Sequence, residues 1–358
     1  MPQDQPAKGR RDFFKLAGGV AGISALSYYL GLRNNVQPSS TEALHEYVDG
    51  GIGFPIFRPP FLQKDVNFAA FSFPADVSAL TALCDRFLNN PGSFPYIYTP
   101  LTRTVLLVYA DMQVSSLDER DALAGSIPET DVSFWVLTVA FQNDMPHHLA
   151  WFVPSLFVNE GTSIATGREV YGFNKQAGVI NKSVDIQSPQ FSVDVLGIRK
   201  FDPAAVAQNE RLLEVEMLST DPPVTRWNDL NAARAALSAQ LLNDVRPGWE
   251  DQVVKLVTAA LTEDVPLVFN KQFRHAGHGH RSSYRSIVEA PLQVREFREG
   301  GSLNGLVKLT LHTLDSHPLI GQLGLSNVQE ASFSAWMKLD CVLGAGEEYL
   351  LSNRGNES

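Results

Sequence analysis

Apolar and polar residues alternate with a period of two along most of this chain, a pattern typical of β-strands with one buried face. Turn-forming residues separate the alternating runs. The runs occupy residues 66–73, 103–110, 131–141, 148–157, 190–198, 212–218, 287–297, 306–314 and 333–343. Because most of these runs follow one another without helices between them, the pattern predicts a mainly antiparallel β-structure.

Helical periodicity is confined to a few segments. In residues 76–88 the apolar positions recur at helical spacing, and Asp76 is a candidate N-cap. Residues 227–242 and 249–261 predict a helical pair joined by a Pro-Gly turn, so we expect a helical insertion at about 226–263. A few helices beside a dominant antiparallel sheet indicate the α+β class and argue against a doubly wound parallel fold.

The N-terminal residues have the features of a targeting segment. Arg10 and Arg11 precede an apolar run at 16–32, which is short for a membrane span. The paired arginines, with Phe and Lys after them, resemble a twin-arginine export signal; the alternative is a basic tail on a short amphipathic anchor. We therefore expect residues 1–40 to be a signal or membrane anchor with its linker, and residues 41–358 to be a single domain. The expected location is outside the cytoplasm, either periplasmic or membrane-anchored.

Composition narrows the classes of partner. Of the 358 residues, 44% are hydrophobic, which is enough for a folded core, and the formal net charge is −10. Proteins that bind nucleic-acid phosphates non-specifically need the opposite charge balance, so we do not expect a nucleic-acid partner. Cys84 and Cys341 cannot form a disulfide framework. Each is expected to be a small buried thiol, with one bridge between them as the alternative.

Lys175 is the main candidate for covalent chemistry. A lysine that condenses with a carbonyl group must be neutral, whereas a free lysine has a pKa of about 10.4. Burial or a neighbouring cation lowers the pKa of a lysine. Tyr171 and Phe173 are local apolar neighbours, and Arg168 is a candidate cation unless it pairs with Glu169. From these residues alone we expect either a buried lysine with a lowered pKa or an ordinary surface lysine.

The segment around this lysine resembles a known family. The stretch 156–175 contains an apolar strand, then Gly-Arg-Glu at 167–169, then Gly-Phe-Asn-Lys ending at Lys175. This order of residues resembles the core motif of the acetoacetate decarboxylase superfamily. Weaker patches resemble the larger acetoacetate decarboxylase-like proteins; they lie at 269–274, 287–291, 315–318 and 333–346.

The resemblance implies a fold and a chemistry. The fold would be a curved sheet or cone around an apolar pocket, with the helical insertion added to it. The protein would be a Schiff-base-forming lyase that decarboxylates a β-keto acid, or a related carbonyl compound, through an imine on Lys175. Arg168 and Glu169 match the motif and would line or brace the site, beside Tyr171 and Phe173. The resemblance also implies a homo-oligomer that needs no cofactor.

The chain also departs from the family pattern. Gln176 stands where the decarboxylases carry a second lysine, and Asn174 replaces the usual proline. The acids of the family pocket cannot be transferred, which leaves Glu129 and Glu160 as the nearby carboxylates; each is expected either to line the pocket or to be solvated at the surface. Gln176 is also expected to line the pocket. These departures keep two alternatives open. One is an aldolase-dehydratase that uses the same imine, and the other is a non-catalytic protein that binds a small molecule in the pocket.

Histidines offer two further candidates. His317 lies in one of the family-like patches and is expected either to line the pocket or to pack against it. His275, His278 and His280 are close in sequence, but no acid or cysteine partner is evident, so a polar loop explains them better than a metal site. We expect no bound metal.

Overall fold

The alternating runs form strands in the computed structural model. It describes residues 46–51, 54–90, 94–182, 185–218, 225–247, 249–259, 264–303 and 305–350. The strands are β1 (Phe61–Pro74), β2 (Ile97–Pro100), β3 (Thr104–Ser116), β4 (Ile127–Gln142), β5 (Met145–Val158), β6 (Lys175–Ala177), β7 (Val179–Lys182), β8 (Phe191–Gly197), β9 (Gln208–Met217), β10 (Thr225–Trp227), β11 (Leu267–Arg274), β12 (Ser282–Ala290), β13 (Leu292–Ser302), β14 (Val307–Leu311), β15 (Val328–Glu330), β16 (Phe333–Leu343) and β17 (Glu347–Leu350).

Within these described residues the strands form two sheets. The larger sheet has the order β10-β13-β16-β1-β3-β4-β5-β11-β12-β17, with β2 added beside β4 and β6 added beside β5. The smaller sheet has the order β15-β14-β9-β8-β7. Most neighbours are antiparallel, as predicted, but β6 and β11 both pair with β5 in parallel. This parallel pairing positions β6, and therefore Lys175, along the end of β5.

Few helices accompany the sheets. They are α1 (Val77–Cys84), α2 (Gly161–Val170), α3 (Leu230–Asp244), α4 (Glu250–Ala259) and α5 (Leu319–Leu323). Asp76 caps α1 as predicted, because its side chain accepts a hydrogen bond from the amide of Ser78. The predicted helix at 76–88 continues beyond α1 as a π-helical turn at Asp85–Asn89. Helices α3 and α4 form the expected insertion. The whole therefore has the α+β class that the hydrophobic pattern predicts.

One predicted strand is two strands in the structure. The alternating run at 287–297 is interrupted at Pro291, which ends β12 and separates it from β13. Proline has no amide hydrogen and cannot continue the hydrogen-bonded ladder, so the chain turns there. The carbonyl of Pro291 accepts a hydrogen bond from the amide of Gly344 instead.

A cluster of buried side chains lies beneath α2 and β6. It includes Phe61, Leu156, Tyr171, Phe173 and Phe269, and the rings of Phe173 and Phe269 are 3.9 Å apart at their centroids. Removing such rings from water is a main source of stability in a fold of this kind. The cluster therefore holds the segment that carries Lys175 against the larger sheet.

Several expectations concern the ends of the chain and its cysteines. Residues from Glu46 onward fall into one compact unit, whereas the predicted signal or anchor at 1–40 lies outside the described residues. No helix in the part of the chain that the structure describes is long and apolar enough to cross a membrane.

Cys84 and Cys341 are both buried and are not bridged.

Candidate active site

The connection from β5 to β6 positions the candidate lysine. Glu160 caps α2, because its carboxylate accepts a hydrogen bond from the amide of Ser163 at 2.9 Å. At the other end of α2, the carbonyl of Gly167 accepts hydrogen bonds from three successive amides, at 3.1–3.2 Å. Gly172 has φ +84° in this turn, a conformation that favours glycine. The turn returns the chain to β5, where Lys175 pairs with Leu156.

Gly167 also makes room for the lysine side chain. A Cβ atom at this position would lie 2.9 Å from both Cδ and Cε of Lys175 and 3.4 Å from its Nζ. Any larger side chain would therefore have to displace the lysine. This contact gives a physical reason for the glycine in the Gly-Arg-Glu motif, eight residues before the lysine.

The ammonium group of Lys175 is buried among polar partners. The residue is 8% exposed. Its Nζ donates hydrogen bonds to Oε1 of Glu129 at 2.8 Å and to Oγ of Ser163 at 2.5 Å. It also lies 5.2 Å from the centre of the Phe173 ring. Lys175 is therefore neither a surface lysine nor a lysine in a purely apolar environment.

A cavity opens in front of this lysine. It has an empty volume of about 650 Å³, which includes the solvent space of its open mouth. Its apolar wall consists of Phe57, Phe61, Val114, Ile127, Tyr171 and Phe173. Its polar groups include Gln63, Asp121, Glu129, Ser163 and Lys175. The hydroxyl of Tyr171 donates a hydrogen bond to the carbonyl of Gly344 at 2.8 Å. Among the polar groups, Glu129 and Ser163 contact the Nζ of Lys175.

The charges of Lys175 and Glu129 stabilise each other. Burial by itself lowers the pKa of Lys175, but the charges of Glu129, Asp131 and Glu160, together with the hydrogen bond of Glu129, outweigh it, so the pKa is raised. Burial by itself raises the pKa of Glu129, but the charge of Lys175 and hydrogen bonds outweigh it, so that pKa is lowered. The expectation of a lowered pKa for Lys175 is therefore wrong for the resting protein. Both groups are charged at neutral pH.

A second carboxyl group, Asp131, lies behind Glu129. The two residues are two positions apart on β4, and their carboxyl groups interact. Burial and the charge of Glu129 raise the pKa of Asp131 well above its usual range, so Asp131 holds its proton more tightly than Glu129 does. Its Oδ1 is buried and has no hydrogen-bond partner among the described residues. The sequence analysis missed Asp131, although side chains two apart on a strand share a face.

The two other motif residues lie farther from the amine. Arg168 is exposed, and its Nη1 lies 3.4 Å from the main-chain carbonyl oxygen of Lys175. Glu169 accepts a hydrogen bond from the hydroxyl of Tyr47 at 2.6 Å. Arg168 therefore braces the main chain of the lysine and is not a cation beside its Nζ. No ion pair joins Arg168 to Glu169 in the part of the chain that the structure describes.

Three predicted pocket residues are not in the cavity wall. Gln176 follows Lys175 in β6, where successive side chains point to opposite faces. The carboxylate of Glu160 caps α2. His317 lines a different cavity beside α5 and packs against Phe157, with ring centroids 6.1 Å apart. Of the predicted pocket residues, Tyr171, Phe173 and Glu129 do line the Lys175 cavity.

An arginine beside the cavity is held by acids. Arg58 contacts Asp49, Asp118 and Asp121, and its Nη1 is 2.6 Å from Oδ1 of Asp121. The main-chain amide of Arg58 also donates to Asp121 at 2.6 Å. Asp121 is the member of this cluster that lines the cavity. The guanidinium group is therefore already engaged by three carboxylates.

The part of the chain that the structure describes contains no group of three or more His, Cys, Asp or Glu side chains arranged to hold a metal ion. His275, His278 and His280 lie in an exposed loop between β11 and β12. There the ring of His275 accepts hydrogen bonds from the amides of Gly277 and His278.

Comparison with known proteins bears on the fold. No protein-family model and no curated protein matches the sequence. The structure is similar to acetoacetate decarboxylase from Legionella pneumophila, with a TM-score of 0.52, 14% identity, and coverage of 86% of this chain and 97% of that chain. It is also similar to the enduracididine biosynthesis enzyme MppR, with a TM-score of 0.54, 14% identity, and coverage of 88% and 100%.

A third similar structure is an acetoacetate decarboxylase-like enzyme from Sphingomonas wittichii RW1. Its TM-score is 0.52 and its identity is 10%, with coverage of 86% of this chain and 98% of that chain. In all three comparisons the similarity extends over nearly the full length of the other chain. At identities this low, the similarity bears on the fold and not on the reaction. The chain has the acetoacetate decarboxylase-like fold.

Proposed function

We propose that this protein is a Schiff-base-forming lyase of the acetoacetate decarboxylase-like family, with Lys175 as its nucleophile. The observation that carries the proposal is the position of Lys175 Nζ. It is buried at the end of an aromatic-walled cavity, 2.8 Å from a carboxylate oxygen of Glu129. A lysine held in this way has a base within hydrogen-bonding reach and a space in which a small carbonyl compound can bind.

The first step is the release of the amine. Glu129 takes a proton from the ammonium group along their hydrogen bond, and the neutral amine attacks the carbonyl carbon. A C–N bond forms as the carbonyl π bond breaks, and the resulting alkoxide takes a proton from the protonated Glu129 to become a hydroxyl. A carbonyl compound that displaces water from the cavity favours this transfer, because removing water makes the charged pair less stable than the neutral one.

The second step is the loss of water. Glu129 removes a proton from the carbinolamine nitrogen and gives it to the hydroxyl, which leaves as water while the C=N bond forms with a positive charge on nitrogen. The ionised carboxylate of Glu129 then lies beside this cation. Asp131, whose pKa is raised beside Glu129, is a second carboxyl group that can hold a proton during these transfers. Ser163 holds the nitrogen from the side of α2.

The iminium ion accepts electrons from a bond that breaks next to it. Decarboxylation of a β-keto acid and carbon–carbon cleavage or dehydration of the aldol type both use this electron sink. The enzyme MppR, which has a similar fold, has been observed with the condensation product of pyruvate and imidazole 4-carboxaldehyde. Imine formation on Lys175 is the step common to these reactions, and it is the step proposed for this chain. The expected homo-oligomer and small-molecule substrate remain predictions.

The proposal is tested by trapping the imine. Full-length protein is incubated with a panel of ketones, aldehydes and keto acids in the presence of borohydride, and the modified peptide is identified by mass spectrometry. We expect a reduced adduct on Lys175 that is lost in Lys175→Arg, since guanidinium does not condense with carbonyl groups. Lys182→Arg is the matched control, because Lys182 pairs with Asp111 outside the cavity.

Two outcomes would contradict the proposal. If Lys175→Arg is labelled as strongly as the wild-type protein, the adduct arises elsewhere. If a ketone binds in the cavity without any adduct at Lys175, the protein is a binding protein that lacks imine chemistry.

A further inference from the structure

The charges around the cavity bear on the class of carbonyl compound that it accepts. Among the described residues that line it, Lys175 is the one cation, while Glu129 and Asp121 are both carboxylates. Lys175 must lose its charge to form an imine, so it cannot at the same time serve as the partner of a substrate carboxylate. A keto acid would therefore need a second cation near the wall.

Arg58 contacts this wall through Asp121, which lines the cavity. Its three acidic neighbours come from two segments of the chain, with Asp49 on one and Asp118 and Asp121 on the other. An arginine that recognises a carboxylate uses the forked face of its guanidinium group. Here that group is already bonded to acids, so a substrate carboxylate would compete with carboxylates that the fold holds in place.

The counter-ion of the iminium is also present before substrate binds. Glu129 is charged in the resting protein and lies against the nitrogen that becomes the iminium. A neutral carbonyl compound gives a cation that Glu129 balances. A keto acid would add another negative charge to a cavity that Glu129 and Asp121 already line, where removing a charge from water is costly.

The remaining wall fits an apolar substituent. Phe57, Phe61 and Phe173 line the cavity together with Val114 and Ile127. Aromatic and aliphatic side chains of this kind favour ligands that give up apolar surface to the site. The polar groups that the condensation uses, Glu129, Ser163 and Lys175, also line the cavity.

We infer that the cavity takes a neutral aldehyde or ketone with an apolar or aromatic substituent, in preference to a keto acid. The inference rests on the proposed function, because it concerns the substrate of the same imine on Lys175. A neutral carbonyl compound has no carboxylate to lose. The reaction class that follows is therefore carbon–carbon bond formation or cleavage of the aldol type, in which the electron pair of the broken or formed bond is held by the imine.

The test uses matched pairs of compounds that differ in charge and little in shape. One pair is benzaldehyde and 4-carboxybenzaldehyde, and the other is acetylacetone and acetoacetate. Each compound is supplied to the full-length wild-type protein with cyanoborohydride, and the rate of adduct formation on Lys175 is followed by mass spectrometry. Adducts of acetoacetate are counted with and without loss of CO2, and labelling of Lys175→Arg is subtracted as background.

We expect the neutral member of each pair to label Lys175 about tenfold faster or more, a ratio that corresponds to about 1.4 kcal/mol. Equal or faster labelling by the acids would overturn the inference while leaving imine formation intact. If none of the four compounds labels Lys175, the proposed function itself fails. The two failures are thus distinguishable.

Discussion

Gly167 and Lys175 are in direct contact across the turn between α2 and β6. The lysine side chain passes over the glycine so closely that a Cβ there would lie 2.9 Å from its Cδ and Cε. The motif glycine therefore shapes the path of the lysine to Glu129.

The first prediction concerns Gly167→Ala. The added methyl group displaces the lysine from Glu129 and Ser163, so we expect imine trapping to fall by about tenfold or more, an effect of about 1.4 kcal/mol. Alanine is favoured over glycine inside a helix by about 1 kcal/mol, which offsets the strain, so thermal stability should change little. Gly161→Ala is the control, because nothing lies within 4 Å of a Cβ at that position of the same helix. Unchanged trapping in Gly167→Ala would show that the contact does not position the lysine.

The second prediction concerns Glu129→Gln. Glu129 holds the pKa of Lys175 above its usual value against the effect of burial. Without the carboxylate, burial is opposed only by the charges of Asp131 and Glu160, so the pKa of Lys175 should fall from its wild-type value. The midpoint of the pH dependence of lysine modification should therefore move to lower pH.

Glu160→Gln is the matched control for this change. Its carboxylate caps α2 and is the smallest of the causes that raise the pKa of Lys175, so the midpoint should move down less than in Glu129→Gln. The ion-pair interpretation would be refuted by a midpoint in Glu129→Gln that is unchanged or moves upward. Trapping by Glu129→Gln should also be slower at neutral pH, because the base is lost even though more amine is neutral.

The third prediction concerns the stability of Asp131→Asn. The folded-state pKa of Asp131 is raised, so the stability that this group contributes is fully present below its unfolded pKa of about 3.9 and is lost as the pH rises through the folded pKa. Asparagine does not titrate and avoids this loss. The free energy of unfolding of Asp131→Asn relative to wild type should therefore increase from about pH 4 upward, by about 1.4 kcal/mol for each unit by which the pKa is raised.

Asp144→Asn serves as its control. Asp144 is exposed in the turn between β4 and β5, and asparagine tolerates its left-handed conformation at φ 62°. As an exposed replacement of the same kind, Asp144→Asn should change the free energy of unfolding at neutral pH by no more than about 0.5 kcal/mol. Chemical denaturation measures both variants, and Asp131→Asn is measured at a series of pH values. A difference for Asp131→Asn that is the same at every pH would mean that folding does not raise the pKa of Asp131.

The fourth prediction concerns export. Replacing Arg10 and Arg11 with lysines should stop transport by the twin-arginine route and leave folded protein in the cytoplasm, because that route reads the arginine pair. Cell fractionation of the double variant, with Arg33→Lys as a control beyond the apolar run, measures this. Normal export of the double variant would exclude a twin-arginine signal.

The sequence predicted the sheet better than the site. Alternation located most of the long strands, but the run was predicted to begin at 131, whereas β4 begins at Ile127. The start of the strand is not apparent in the sequence, because apolar side chains do not alternate through Pro128, Glu129 and Thr130. Glu129 and Asp131 were therefore not recognised as neighbours on one face.

Other features of the site depend on contacts between distant parts of the chain. The pKa of Lys175 is raised by Glu129, which is 46 residues away, so local neighbours could not give its direction. The pairing of Arg58 with Asp121 spans 63 residues. Spacing in the sequence indicates Lys175 as the candidate nucleophile, but only the fold shows which acids surround it.

The cavity draws its reactive groups and its walls from different stretches of the chain. Glu129, Ser163 and Lys175 lie within residues 129–175, whereas much of the apolar lining comes from 57–63 and 114–127. Mutation and selection can therefore act on substrate range and on chemistry independently. A directed-evolution library limited to Phe57, Phe61 and Val114 would sample new substrates while the nucleophile and its proton acceptor stay unchanged.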